Sequence, residues 1–329
     1  MVTGNTHVNP TRPMIEIREM TRWFGSTCAV RALQFNVPAG SILGFIGPNG
    51  AGKTTTMRIL ATLDEPDLGD AFIDGFSVVN DPDRVRSRIG FVPDAYGAYS
   101  NVSCVEYLDF FARSYGLVGR ERLRAVNRVI DFTRMRHMQH KPMSGLSKGM
   151  KQRLCLGRAL VHDPKVMILD EPAAGLDPRA RIELKEMIGQ LAAEGKSLLI
   201  SSHILTELAE MCDRVAIIER GELLAEGTVE QILRGQSFEH HAPSEVKVLV
   251  QVSFLGDSAS ISGYLKERHQ LEVRSLDGQS LEFELADQPE QQAEILRELV
   301  TAGFQVTRFA PRPRSLEEAF LKVTRGNVQ

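Results

Sequence analysis

The chain has 329 residues, 43% of them hydrophobic and 25% charged, with a formal net charge of -3. That is an ordinary globular composition, long enough for about two domains. It speaks against a membrane-spanning subunit, since no apolar run nears the roughly 20 residues such a helix needs, and against a nucleic-acid binder, which carries a dense basic stripe.

The opening residues 1–13 are polar and proline-bearing, lack the apolar block of a signal peptide, and read as a mobile tail. From residue 14 to 227, short apolar strands alternate with helical patterns, the rhythm of an α/β domain with a largely parallel sheet, and this first domain is expected to end at about 235. Strands are expected over residues 14–20, 41–46, 89–92, 166–169, 198–201 and 215–218. Residues 102–135 are helical in pattern, with turn signals at Gly116 and Gly119, and they interrupt the alternation as an inserted helical subdomain over about 95–162. Leu184, Met187, Ile188 and Leu191 put one apolar stripe on a helix over 179–193. Cys28, Cys104, Cys155 and Cys212 lie far apart with no CxxC pair, so reduced thiols are expected rather than a zinc site.

Residues 236–244 carry little apolar content and read as a linker. Beyond it Val246, Val248, Val250, Val252 and Phe254 alternate strictly, a half-buried strand. A helix near Ile261, Tyr264 and Leu265 follows, then strands 271–275 and 280–285 around the turn pair Asp277-Gly278, a helix over 291–301 and a strand over 304–309. This β-α-β-β-α-β order predicts a small ferredoxin-like α+β domain over 245–325. Ser315, with Glu318 three residues on, caps a closing helix over 315–323.

Gly47-Pro48-Asn49-Gly50-Ala51-Gly52-Lys53-Thr54 lies between an apolar strand and a helix over 54–63, where a phosphate-binding P-loop must lie. Glycines let backbone N–H groups curl around a phosphate, and the helix N-terminus adds partial positive charge. Lys53 can bridge the β- and γ-phosphates of ATP, Thr54 can place its hydroxyl on Mg²⁺, and Thr55 joins the nucleotide-binding set. Further on, the apolar strand of 166–169 delivers Asp170 and Glu171 at its C-terminal end. Adjacent carboxylates repel unless one holds a cation and the other faces a water. Asp170 is therefore assigned to the Mg²⁺ shell and Glu171 to polarising the attacking water as general base.

Between these motifs runs Leu146-Ser147-Lys148-Gly149-Met150-Lys151-Gln152-Arg153, and with it the chain resembles the nucleotide-binding subunits of ABC transporters. The family pattern is Leu-Ser-Gly-Gly-Gln; Ser147 and Gly149 match, while Lys148 and Met150 depart from it. Lys148 adds charge near the triphosphate or points to solvent. Further elements follow the family order. Ala174-Gly175-Leu176-Asp177 resembles the D-loop, with Asp177 near the nucleotide. His203 resembles the switch histidine that contacts the γ-phosphate. Phe24, with Trp23 as its neighbouring candidate, falls where the family stacks an aromatic on adenine. Asp94 stands where the family usually has a glutamine that reaches Mg²⁺ and the attacking water, so it joins both the catalytic and the metal sets.

The resemblance implies a P-loop NTPase core of ABC type that hydrolyses ATP between two copies of the chain, Lys53 of one facing Ser147 of the other. It further implies a separate integral-membrane permease of about six spans per chain and a place on the inner face of the cell membrane. The implied class is that of drug, polysaccharide and polyketide exporters. Tyr96, Tyr99, Phe110, Phe111 and Tyr115 are expected to divide between a permease contact and the subdomain's own core. The competing readings are a soluble ABC ATPase acting on ribosomes or DNA and a regulatory member with weakened hydrolysis, the latter suggested by Asp94, Lys148 and Met150.

Overall fold

The first strands of the computed structural model, which describes residues 12–94, 97, 101–233, 247–286, 288–312 and 315–324, are antiparallel. β1 (Ile15–Phe24) pairs with β2 (Thr27–Val37) on one side and with β4 (Leu68–Ile73) on the other, and β4 pairs with the short β5 (Phe76–Ser77). This four-stranded sheet corrects the expectation that residues 14–20 join the parallel sheet. The reason is visible in burial. β1 hides Ile15 and Ile17 but not Glu16 between them, the mark of a strand with one covered face, whereas β3 (Ile42–Ile46) is buried at every position.

The second sheet has six strands in the order β10-β9-β3-β8-β7-β6. β6 (Ile89–Val92), β7 (Val166–Leu169), β8 (Ser197–Ser202) and β3 run parallel, with β9 (Arg214–Glu219) parallel to β3 and β10 (Glu222–Thr228) at the edge. The C-terminal ends of β3, β6, β7 and β8 therefore share one edge, where open α/β sheets hold ligands. α1 (Lys53–Leu60) contributes Met57, Ile59 and Leu60 to a core shared with Ile15, Phe35 and Phe45. α2 (Pro82–Arg86) precedes β6, α6 (Pro178–Ala193) buries the predicted stripe, and α7 (Leu205–Met211) follows β8.

The insert consists of α3 (Cys104–Ser114), α4 (Gly119–Phe132) and α5 (Lys148–Leu160). Ser103 and Glu106 exchange hydrogen bonds in a capping box that starts α3. Tyr96 and Tyr99 lie outside the described residues. Phe110 is exposed, Phe111 packs edge-on against Phe110 and Tyr107, and Tyr115 stacks on His162 at a centroid distance of 3.6 Å.

His162 sits just past the end of α5, its Nε2 2.9 Å from the Ile89 carbonyl. Burial pushes its imidazole down to about 4, so the folded chain holds it neutral. A depressed histidine gives stability that is present above its unfolded value near 6.5 and lost as pH falls toward 4. We expect up to about 3 kcal/mol of unfolding free energy to disappear across that window. Urea unfolding at pH 7.5 and pH 5 should show this loss in the natural chain and a smaller one in His162→Gln.

The chain divides into two compact units between Glu226 and Gly227. The second begins with α8 (Val229–Leu233); the linker expected over 236–244 lies outside the described residues, as do residues 1–11. It continues through β11 (Lys247–Leu255), α9 (Ser258–His269), β12 (Val273–Asp277), β13 (Ser280–Ala286), α10 (Pro289–Thr301), β14 (Gln305–Arg312) and α11 (Leu316–Thr324). The sheet is antiparallel in the order β12-β13-β11-β14, the ferredoxin-like arrangement, and Val250, Val252 and Phe254 face a core with Ile261, Phe283 and Leu299. Ser315 and Glu318 make the reciprocal hydrogen bonds of the expected cap.

Candidate functional site

The strand β3 is too tightly packed to tolerate a side chain at the turn that leaves it. A Cβ on Gly47 would come 2.4 Å from the Ile218 carbonyl oxygen. Gly52, at φ +103, would put a Cβ 2.4 Å from the Ala29 carbonyl oxygen on β2. Gly50, at φ +82, has open space around it and is needed for its backbone alone. Between them Pro48 and Asn49 are exposed, and Ala51 closes the loop through its N–H on the Pro48 carbonyl at 3.1 Å. Lys53, 6% exposed, curls back to donate to the carbonyls of Gly47 at 2.7 Å and Pro48 at 3.3 Å. Thr54 is exposed and Thr55 half-buried in the first turn of α1.

β7 delivers Asp170 almost wholly buried, with its N–H on the Val92 carbonyl at 2.8 Å. The Ser201 hydroxyl donates to its Oδ1 at 2.7 Å, and Thr54 also bonds it. Burial pushes the Asp170 carboxyl above its usual range; these two hydrogen bonds pull it back, and the neighbouring Glu171 and Asp94 carboxylates push it further up. Asp170 thus shares a hydrogen bond with the Thr54 hydroxyl, and the Glu171 and Asp94 carboxylates lie near enough to act on it through their charge, although among the described residues no three acidic or histidine side chains are gathered at metal-ligand spacing. The Asp170 carboxylate and the Thr54 hydroxyl are oxygen donors that suit a hard divalent cation, whose charge would offset the burial that raises Asp170.

Glu171 adopts φ +47, a left-handed backbone that a residue with a Cβ holds only under constraint. The constraint is local: its N–H donates to Ser201 Oγ at 2.8 Å, and its Oε2 lies 2.7 Å from His203 Nδ1. The other oxygen, Oε1, is 3.5 Å from the Lys53 ammonium and, though buried, has no hydrogen-bond partner among the described residues. A carboxylate with one oxygen anchored and one unsatisfied is placed to accept a proton from a bound water.

The structure therefore brings together Lys53, Thr54, Asp170, Glu171 and His203, with Asp94 on the exposed bend after β6. Ser201 was not singled out from the sequence, although it serves both acidic residues. The signal for it is a small hydroxyl residue ending an apolar strand, and reading it requires knowing that β8 neighbours β7. Phe24 stands at the end of β1, 49% exposed, and Trp23, 45% exposed, points to the opposite face.

Ser147, Gly149 and Asp177 form a second cluster. Ser147 caps α5 through the Met150 N–H at 3.3 Å, and Asp177 caps α6 through the Ala180 N–H at 2.9 Å. The two helix starts touch: a Cβ on Gly149 would lie 2.9 Å from Ala180 Cβ, and Arg153 pairs with Glu183 at 3.1 Å. The Lys148 ammonium occupies the space that a Cβ on Gly175 would need, so it lies along the D-loop segment of its own chain.

A cleft of about 810 Å³ opens beside Thr54, Asp94 and Asp170, with Phe91, Phe111 and Tyr115 among its walls. Arg58, Arg86 and Arg158 give it a basic lining.

The ABC transporter family model matches residues 30–174, and the model of the ATP-binding protein DrrA1-3-like C-terminal domain matches residues 246–324. Nod factor export ATP-binding protein I of Burkholderia lata is 32% identical over 97% of this chain and 99% of its own length. ABC transporter ATP-binding protein NatA of Bacillus subtilis is 38% identical over 64% of this chain and 86% of its own. Among solved structures, an ATP-binding subunit of an ABC transporter superposes with a TM-score of 0.62 at 30% identity, covering 69% of this chain and 95% of that one. A dimeric bacterial ABC transporter cassette superposes at 0.60 and 23% identity, covering 66% of this chain and 99% of that one, a likeness of fold.

Proposed function

The chain belongs to the ATP-binding proteins of ABC transporters, and from that premise we propose that it hydrolyses ATP to drive export through a separate membrane permease. The observation that carries the hydrolytic reading is Glu171 held between Lys53 and His203 beside the buried Asp170.

Lys53, now resting on the Gly47 and Pro48 carbonyls, exchanges them for the β- and γ-phosphates, while the P-loop N–H groups and the start of α1 hold the rest of the triphosphate. Thr54, Asp170 and Asp94 would hold Mg²⁺, which supplies neutralisation of the phosphate charge. Glu171 accepts the proton of the attacking water as the water oxygen bonds the γ-phosphorus and the bond to ADP breaks. His203 orients Glu171 through their hydrogen bond and faces the γ-phosphate. Phe24 stacks on the adenine.

Ser147 and Gly149, together with Asp177, complete the site of a second copy of the chain, so the working unit is a homodimer that closes on ATP and reopens after hydrolysis. Export is supported by the names of full-length relatives such as the Nod factor export protein. The basic, aromatic-walled cleft by Asp94 suits the permease contact, which would place the chain on the inner face of the membrane.

The test is phosphate release by the purified chain from ATP, titrated with Mg²⁺ and repeated in membranes carrying a multi-span permease. Release that requires the metal and rises with the permease supports the reading; none at millimolar ATP in either setting overturns it. In the same titration Asp94→Gln is expected to bind ATP as before but to shift the Mg²⁺ midpoint upward, since one anionic oxygen ligand has been neutralised. An unchanged midpoint removes Asp94 from the metal set.

A further inference from the structure

We propose that Arg22 is a positioning residue for the nucleobase, holding the Phe24 ring from behind so that the ring's free face is presented to adenine. Arg22 and Phe24 are two residues apart on β1 and share a face. The Arg22 guanidinium lies over the Phe24 ring, its Cζ 4.9 Å from the centroid, within cation–π range. The guanidinium is itself fixed. One nitrogen pairs with Asp64 at 2.7 Å and another with Asp67 at 3.2 Å, and only about a quarter of the side chain is exposed. Asp67 also accepts the Trp23 N–H at 2.6 Å, and its own N–H returns to the Thr21 carbonyl at 2.8 Å.

This arrangement differs from a solvated surface arginine in two ways. First, both carboxylates come from the segment that follows α1, the helix that begins at Lys53, so the ring's support is tied to the element that holds the phosphates. Second, the ring keeps a large exposed area while one face is covered, which leaves a single face for stacking. An exposed phenyl ring free to turn would lose that freedom on binding the base; a ring already backed by a fixed cation loses less. Arg22 therefore raises affinity for the base and contributes nothing to the phosphates.

The inference rests on Phe24 as the adenine platform, and the experiment separates the two. Affinities of the full chain for ATP and for inorganic tripolyphosphate, which has no base, are measured by calorimetry with Mg²⁺ present. Phe24→Ala is expected to weaken ATP about tenfold and leave tripolyphosphate unchanged. Arg22→Ala is expected to weaken ATP about fivefold with tripolyphosphate unchanged, and Arg22→Lys to recover part of the loss.

If Phe24→Ala discriminates and Arg22→Ala does not, the Arg22 inference fails alone. Should Phe24→Ala leave both affinities unchanged, the platform reading fails and the inference with it. An equal loss of ATP and tripolyphosphate affinity in Arg22→Ala means a structural role and overturns the proposal. Asp67→Asn, which keeps an acceptor for the Trp23 N–H, replaces Arg22→Ala if that variant does not fold, and it must show the same selective loss.

Discussion

Glu171→Gln is expected to bind ATP as tightly as the natural chain and to release phosphate about a hundred- to ten-thousand-fold more slowly. The amide is nearly the same size, and it can still meet His203 through one atom and the Ser201 hydroxyl through its backbone. What it lacks is basicity. The oxygen that has no hydrogen-bond partner among the described residues, Oε1, is the one left to take a proton, and an amide there accepts none. Binding and chemistry should therefore separate cleanly, a loss in kcat without a rise in KM. If two copies close on ATP and reopen only after hydrolysis, the variant also accumulates as a dimer with ATP, visible by light scattering. A variant that turns over at the natural rate removes Glu171 from the chemistry; one that stays monomeric with ATP removes the closure step.

Gly52→Ala is expected to be the most damaging single methyl in the site. The glycine holds φ +103, outside the conformations open to alanine, and the added Cβ would meet the Ala29 carbonyl oxygen at 2.4 Å. Strain of that backbone and the clash each cost about 1–3 kcal/mol, so the variant should unfold roughly 5–10 °C lower by calorimetry. Relief through movement of the loop would pull the first turn of α1 from its place, and ATP affinity should fall with stability. Gly50→Ala is the informative contrast. Its φ of +82 is strained too, but nothing lies within 4 Å of the added carbon, so only the conformational part of the cost remains.

These two glycines also show how far the sequence could be read. The P-loop, the Asp170-Glu171 pair and the helix cap at Ser315 are legible because each depends on a short contiguous run. Strands β6 and β7 are found at the expected bounds for the same reason, since a fully buried parallel strand is an unbroken apolar stretch. The antiparallel sheet was not legible. β1 and β2 shift register near Glu19 and Ala32, both with positive φ, and these irregularities break the alternation that marks a half-buried strand. β4 carries Gly69 and Asp70, residues that local preference assigns to a turn.

The reach of this blind spot extends into the site. Ala29, which makes Gly52 obligatory, lies on the unread strand β2, and Ser201 gains its meaning only from the pairing of β7 with β8. In the C-terminal unit from β11 onward the opposite holds: Val250, Val252 and Phe254 alternate in the sequence and face one core, and the order of the elements after α8 could be read.

The contact between the starts of α5 and α6 has a mechanical consequence. With no side chain on Gly149, the two helices abut at Ala180, and the largely buried Arg153–Glu183 pair pins them one turn further along. They form a strut. Any torque that tilts the α3–α5 block must swing the segment from Gly175 to Asp177 with it, and that segment begins within a few residues of Glu171. Load applied to the α3–α5 block is thereby passed to the backbone near Glu171 along a route that bypasses the P-loop hydrogen bonds.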